Sequence, residues 1–528
     1  MALREGKMAK RKLPIGIQTF ADIVSGEYYY VDKTLHVHRL VEQGKYFFLS
    51  RPRRFGKSLL LDTMKSLFEG RETLFRGLYI HDKWDWQVAY PVIRISFADG
   101  VMRSRDDLDK RIRYQLRHNR ERLGLADTRA EDIPGEFADL IAQAHECHGQ
   151  RAVVLVDEYD KPILDNITDP ERARELREGL KNLYSVLKDA DPRLQFCFLT
   201  GVSKFSKVSL FSGLNNLNDI TLDAEHVTIC GYTDRDVDSI FADQLGGLDR
   251  HEIRRWYNGY RWGGAETTSV YNPFDLLLLF DKRKFSPYWF ESATPTFLVK
   301  VLAERSVYTP ALTEWQSRPA LLNRFDVDQI STEALLFQTG YLTLTGVEEE
   351  ISNKPIYRLG FPNYEVESSL NEAMLPALGL DDDILDELIL RLPKLLKEAD
   401  MEGLETYFKA LYAGLPHDWY RNNPIARYEG HYASVFYSHF AALGLRVTVE
   451  DATHRGRVDM TVDFAGRLFL FEFKVVEQLP EGNALQQLKT KGYADKYRAA
   501  GKPIHLIGVE FSREQRQIVA VEWETVAA

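Results

Sequence analysis

An aromatic run, Tyr46-Phe47-Phe48-Leu49-Ser50, leads directly into Arg51-Pro52-Arg53-Arg54-Phe55-Gly56-Lys57-Ser58 and on into Leu59-Leu60-Leu61-Asp62-Thr63-Met64. By apolar pattern this is a buried strand, a tight loop and a helix. A strand that hands over to a helix at once belongs in an α/β layer with a parallel sheet. The loop also carries chemistry. A triphosphate needs exposed backbone N–H groups, a point cation on its outer phosphates and a hydroxyl for Mg²⁺. Gly56 permits the close turn, Lys57 supplies the cation and Ser58 the hydroxyl. Arg51 stands where the general G-x-x-x-x-G-K-[ST] pattern has its first glycine.

A second apolar run, Ala152-Val153-Val154-Leu155-Val156, ends in Asp157-Glu158. Strands buried on both faces read this way, and ligands bind at the C-terminal tips of a parallel sheet. Asp157 is expected to hold Mg²⁺ through water, and Glu158 to orient or deprotonate the attacking water in phosphoryl transfer. Tyr90 to Phe97 reads as another strand of this sheet. A further strand, Leu194 to Leu199, runs into Thr200-Gly201-Val202-Ser203-Lys204. Thr200 or Ser203 would come beside the terminal phosphate, unless this is a plain strand-to-loop turn. The expected nucleotide contacts are thus Arg54, Phe55, Gly56, Lys57, Ser58, Asp157 and Thr200. Ser58 and Asp157 are the metal ligands among them, and ATP and Mg²⁺ the cofactors.

At 528 residues the chain is too long for one core and suggests about three domains. No apolar run reaches bilayer length; the longest clean stretch, Leu276-Leu277-Leu278-Leu279-Phe280, reads as core. Met1 to Lys12 is basic but has no apolar stretch after it, against a secretory signal. Cys147, Cys197 and Cys230 cannot build a disulfide framework and suit a reducing compartment. The expected location is cytoplasmic, with no membrane partner. His145-Glu146-Cys147-His148 lacks the second ligand pair of a metal site and reads as an exposed loop.

With a net charge of −10, any nucleic-acid partner must be held by a local basic surface. Arg103 to Arg122 carries eight basic against four acidic residues and reads as a solvated helix with Arg111, Arg113, Arg117, Arg120 and Arg122. Leu485 to Arg516 carries seven against three, with Tyr493 and Tyr497 among them. The cluster Trp256 to Trp262 either stacks bases or, more commonly for such stretches, pins a turn into a core.

Near the C-terminus, Gly456 to Phe464 and Arg467 to Lys474 are rich in β-branched and aromatic residues, and Ala465-Gly466 between them reads as a two-residue turn. Counting outward from Phe464 opposite Arg467 brings Asp459 opposite Glu472. Lys474, two residues on, shares the face. Directly opposed like charges are destabilising, so something must compensate, and the expected compensation is a divalent ion. Two carboxylates and an ammonium on one face of an apolar ribbon form a constellation for Mg²⁺-assisted phosphodiester hydrolysis, with Asp459 and Glu472 as ligands and Lys474 steadying the nucleophile. Upstream, Tyr428 to Phe440 reads as a helix whose Glu429 either adds a metal ligand or belongs to an ordinary surface helix. Downstream, a helix from Ala484 carries Gln487, Lys489 and Lys491 toward Tyr493; these would steady the site or contact a phosphate backbone, unless this too is an ordinary surface helix.

Several stretches together carry a family likeness: Leu13-Pro14-Ile15-Gly16, Tyr30-Val31-Asp32-Lys33-Thr34, the arginine-rich loop, Val156-Asp157-Glu158-Tyr159-Asp160-Lys161-Pro162, Trp256-Tyr257-Asn258-Gly259-Tyr260, Tyr271-Asn272-Pro273-Phe274, Gln338-Thr339-Gly340-Tyr341-Leu342 and the triad Asp459, Glu472, Lys474. In these the chain resembles the bacterial and archaeal AAA-ATPase-like proteins that carry a C-terminal PD-(D/E)xK nuclease domain. In that family the arginine-rich loop is the usual form. The resemblance implies an ATP-binding core coupled to a nuclease fold, in proteins often linked to defence or mobile-element biology.

The expected fold class is α/β: a P-loop NTPase parallel sheet over 1–230, a helical, winged-helix-like lid over 231–363, a helical bridge over 364–423 and a nuclease-like α/β domain over 424–528. Two functions compete. One is an ATP-regulated, Mg²⁺-dependent nuclease acting on nucleic acid, DNA first; the other is a nucleotide-controlled binding or signalling scaffold that grips nucleic acid without cutting. The intact triad favours the first. Assembly into a homo-oligomer is compatible with either.

Overall fold

The computed structural model describes residues 11–204, 216–264, 266–293, 296–305, 307, 309–318, 331–349, 354–376, 382–413, 429–453, 455–515 and 517–526. Two compact units result: Met1–Ala293 with Glu314–Asn363, and Thr294–Thr313 with Tyr364–Ala528.

In the first unit, β1 (Tyr46–Ser50), β2 (Val92–Ser96), β3 (Ala152–Asp157), β4 (Leu194–Gly201) and β5 (Asn218–Asp219) form one sheet in the order β2-β3-β4-β1-β5. Every pairing in it is parallel. The apolar runs dictate this: β1 and β3 are buried along their whole length, as strands covered on both faces by crossover helices must be. Because β4 lies between β1 and β3, the tips of all three meet at one edge. There the chain turns from β1 into helix α1 (Lys57–Phe68).

Helix α2 (Arg105–Leu123) begins where Ser104 accepts from the Asp107 N–H at 3.1 Å and ends at Gly124, φ 65°. Its arginines are neutralised locally: Arg111 pairs with Asp99, Arg113 with Glu136, Arg120 with Asp139 and Arg122 with Glu69, each at 2.8 to 2.9 Å. Arg111, Arg113 and Arg122 fit the solvated face the sequence suggests, whereas Arg120 is buried. The His145–His148 segment is not a loop, however; it closes the helix Ile133–His148, whose apolar stripe Phe137, Leu140, Ile141 and Ala144 is buried. Farther on, helix α3 (Pro273–Lys282) starts from Asn272, which caps the Phe274 N–H at 2.9 Å with proline at the first position. Tyr257, Tyr260 and Trp262 are buried, so that cluster is core. β6 (Trp315–Ser317), β7 (Thr343–Glu348) and β8 (Ile356–Gly360) make a small antiparallel sheet.

The second unit contains helices α4 (Asp382–Glu398), α5 (Met401–Ala413), α6 (Glu429–Ala442) and α7 (Asn483–Thr490). Its strands are β9 (Arg446–Thr453), β10 (Gly456–Phe464), β11 (Arg467–Val476), β12 (Ile504–Ser512) and β13 (Gln517–Val526). The sheet order is β13-β12-β11-β10-β9, antiparallel except for β11 beside β12. A parallel pair needs a crossover, and α7 lies on it. β11 serves two cores by alternation: Phe469, Phe471 and Phe473 pack with residues of α4, α5 and α6, while Leu468 and Leu470 pack with Leu488 and Tyr493 on the other face.

Candidate functional site

In the first unit, Arg51 explains the missing glycine. Its backbone N–H donates to the Gly201 carbonyl at 3.1 Å, and its fully buried guanidinium donates to the carbonyls of Ser50 (2.8 Å) and Thr221 (2.9 Å), stacked 4.5 Å over the Trp262 ring. Burial lowers its pKa to about 10, so it stays charged at neutral pH. The next residues are anchored as firmly. Gly340, at φ 93°, leaves room for the Pro52 ring. The Trp289 indole donates to the Arg53 carbonyl at 3.0 Å. The Arg54 guanidinium sits 4.9 Å over Phe274, and Phe55 meets Tyr260 edge-on at 4.8 Å. Side-chain anchors hold in place what glycines elsewhere leave to the backbone. Gly56, at φ 89°, then turns the chain into α1.

Lys57 is buried and its ammonium donates to the carbonyls of Arg51 and Pro52, each at 2.9 Å. Burial lowers its pKa, opposed by the charges of Glu158 and Asp157. The first turn of α1 has N–H groups without intrahelical acceptors and the positive end of the helix dipole, a setting that suits phosphate. A cavity of about 630 Å³ opens there, bordered by Arg53, Arg54, Phe55, Gly56, Lys57 and Ser58, by Glu158, and by the aromatic residues Tyr29, Tyr30, Tyr232 and Phe274. Its size suits a nucleotide.

Glu158 adopts φ 50°, a left-handed backbone rare outside glycine. Burial raises its carboxyl pKa, and Lys57 opposes the shift. Asp157 and Thr200 do not border the cavity; both are buried, the Thr200 hydroxyl donating to Asp157 at 3.0 Å. Asp157 is also 4.0 Å from Arg94. Ser203 is likewise engaged, its hydroxyl and N–H both donating to Asp160. Arg51, Arg53 and Asp160 were not among the expected site residues.

In the second unit, the β10–β11 ladder runs from Phe464↔Arg467 to Met460↔Phe471, the register counted from the turn. Ala465 and Gly466 both have positive φ, 49° and 76°, as a primed two-residue turn requires. One step beyond the ladder, the Asp459 carboxylate accepts the Phe473 N–H at 2.8 Å. Across Asp459 the strand also changes sides: Met460 and Val462 pack with the phenylalanines, Val458 with Leu468 and Leu470. The two strands therefore part at this residue. On β11, Glu472 and Lys474 continue the Leu468, Leu470 face. Glu472 is completely buried, with the Lys474 ammonium 3.4 Å away, and the Gln487 amide donates to it. The nearby Tyr493 is buried too, its pKa raised first by burial and then by the charge of Glu472. The ladder does not extend to Asp459 and Glu472, and each carboxylate has its own partner, a backbone N–H for Asp459 and an ammonium and an amide for Glu472, which corrects the expectation of a directly opposed pair that only a metal could relieve.

Among the described residues no three His, Cys, Asp or Glu side chains gather as a metal site. Glu429 stands first in α6, and its side chain lies outside the described residues. Two carboxylates nevertheless fit Mg²⁺, which commonly takes one or two from the protein and completes its shell with water and phosphate. Lys489 pairs with Glu524 at 2.5 Å. Lys491 is exposed and, among the described residues, has no acidic partner.

Two features of this site escaped prediction. Gly508 pairs with Glu472 across β12, and a Cβ there would collide with the backbone of Ala484 and Leu485. Its bareness seats α7 on the sheet and brings Gln487 to Glu472. Glu510, buried, accepts the N–H groups of Glu481 and Asn483 at 2.6 Å each and so holds the start of α7. A lone glycine within a strand pattern is the signal that could have exposed the first.

A family model described as "Predicted AAA-ATPase" matches residues 14–211, and one described as "PD-(D/E)XK nuclease superfamily" matches residues 427–521. A curated relative from Azotobacter chroococcum mcd 1, "Uncharacterized protein in vnfD 5'region", is 60% identical over 520 residues, covering 98% of this chain and 100% of the relative. The chain belongs to the AAA-ATPase-like proteins with a C-terminal PD-(D/E)XK nuclease domain. Both domains of this AAA-ATPase-like nuclease family are therefore present, one in each unit. A solved structure of the Aeropyrum pernix ORC1 protein in complex with DNA covers 65% of this chain and 93% of its own, at 12% identity and a TM-score of 0.26, a value on which no argument rests. Among the described residues no helix is long and apolar enough to cross a membrane.

Proposed function

We propose that this chain binds and hydrolyses ATP in its first unit and cleaves nucleic acid, DNA first, in its second, with nucleotide state regulating cleavage. The observation that carries the reading is the fully buried Glu472 beside Lys474, with Asp459 at the point where β10 and β11 part. A fully buried carboxylate on the face that carries Leu468 and Leu470 is costly and gains nothing for packing. Asp459 and Glu472 would hold Mg²⁺, which when bound supplies Lewis-acid polarisation of the scissile phosphate. Lys474 steadies the anionic nucleophile, and Gln487 fixes the rotamer of Glu472. In the first unit, Lys57 would exchange its two loop carbonyls for the outer phosphates of ATP, Ser58 would hold the cation directly and the buried Asp157 only through water, and Glu158 would orient or deprotonate water. Thr200 keeps Asp157 aligned. Three free cysteines favour a cytoplasmic setting.

The test is incubation with plasmid DNA, linear DNA and RNA in Mg²⁺ or Mn²⁺, with and without ATP, comparing the native chain with Asp459→Ala. Cleavage should need the metal, respond to ATP and fall to background in the variant. Cutting that persists in Asp459→Ala would remove the carboxylate site from the reaction.

A further inference from the structure

Three arginines stand in the phosphate loop. Arg51 is buried among carbonyls. Arg54 borders the cavity and is exposed, but its guanidinium lies over the Phe274 ring. Among the described residues, Arg53 has no such ring to rest on. It borders the cavity together with Lys57 and Glu158, and its side chain keeps 36% of its surface exposed. The Trp289 indole on its carbonyl fixes the backbone from which it projects, while the guanidinium itself is only loosely tethered. Its acidic neighbour Asp165 is 3.9 Å away, and Asp165 is already held by Lys161 at 2.6 Å. The Arg53 charge also acts on the carboxyl of Glu158, lowering its pKa against the effect of burial. A cation on a rigid base, weakly paired and facing the same space as the ammonium and the general-base carboxylate, is arranged to meet an anion that arrives from solution.

We propose that Arg53 is a second cation for the outermost phosphate of the bound triphosphate, supplied by the loop itself, distinguishing ATP from ADP and countering charge that develops during transfer. This rests on the ATP reading of the cavity. On binding, the guanidinium leaves Asp165, to which Lys161 remains paired, and its planar fork takes two phosphate oxygens where a lysine offers a single point charge.

Calorimetry with ADP and with a non-hydrolysable ATP analogue, together with phosphate release, tests the assignment on Arg53→Ala and Arg53→Lys. The alanine variant should keep native ADP affinity, bind the triphosphate more weakly and turn over about 10²-fold more slowly; the lysine variant should recover part of the affinity and less of the rate. Unchanged triphosphate affinity and turnover in Arg53→Ala would overturn the proposal, as would an equal loss of ADP and ATP affinity, the mark of a merely structural role. Lys57→Ala separates the two layers of inference, since it should lose both nucleotides. A native chain that binds neither nucleotide would end the ATP reading and this assignment with it.

Discussion

Glu158 gathers three unusual physical features of the first unit in one residue. Its left-handed backbone, the burial that raises its pKa and the opposing charge of Lys57 describe a carboxylate held under strain where a base is useful. Glu158→Gln preserves shape and should leave ATP affinity intact while slowing phosphate release by about 10²-fold or more; undiminished turnover would exclude it as the base. That Lys57, Ser58 and Glu158 come to one cavity was legible in the sequence because their spacing to flanking strands is local. Arg51 was not. Beyond the adjacent Ser50 carbonyl, the carbonyl and the indole that receive it come from Thr221 and Trp262, far along the chain, and nothing local announces them. Thr200 was legible as a strand tip, but the bond that turns it toward Asp157 depends on β3 and β4 being neighbours, an order that the sequence does not state.

Among the elements, α7 shows how one bare position sets a site. The helix rests on Gly508 and is held at its start by Glu510, and from there Gln487 reaches Glu472. Gly508→Ala should lift α7 from the sheet, cost about 1 to 3 kcal/mol in urea unfolding and reduce cleavage at the same time, because Gln487 retreats with the helix. A variant of native stability and native activity would show that the seat is not tight. The β10–β11 hairpin was readable in advance, since an Ala-Gly turn between two alternating runs fixes register by counting. The parting of the strands at Asp459 was not readable, because it depends on which core each side chain joins. β6 was too short, at three residues, to stand out from the pattern.

At the scale of the whole molecule, each unit buries a histidine that stays neutral. Burial lowers His36 to about 3, assisted by Lys33, His226, Arg39 and Arg51, and lowers His439 to about 4, where it meets the Tyr407 hydroxyl. Unfolded, both take up a proton near their ordinary value of 6.5; folded, they refuse it. Stability is therefore complete above that value and is lost as pH falls toward the folded pKa, by about 2 kcal/mol per histidine at pH 5. Urea unfolding at pH 7.5, 6 and 5 should show the decline, and His36→Gln and His439→Gln should each flatten it; greater stability on acidification would contradict the assignment. Along the chain the segment Thr294–Thr313 interrupts the first unit, yet it belongs to the second, with Thr309 bonded to Ser438 at 2.8 Å. A reading that cuts the chain into consecutive stretches has no way to represent such an excursion. The replacement of a loop glycine by Arg51 has its own consequence for how such a molecule can change over generations. A bare loop can be transplanted between scaffolds, but this one is inherited together with the carbonyl at Thr221, the indole at Trp262 and the gap at Gly340, and a lineage that alters one of them strands the others.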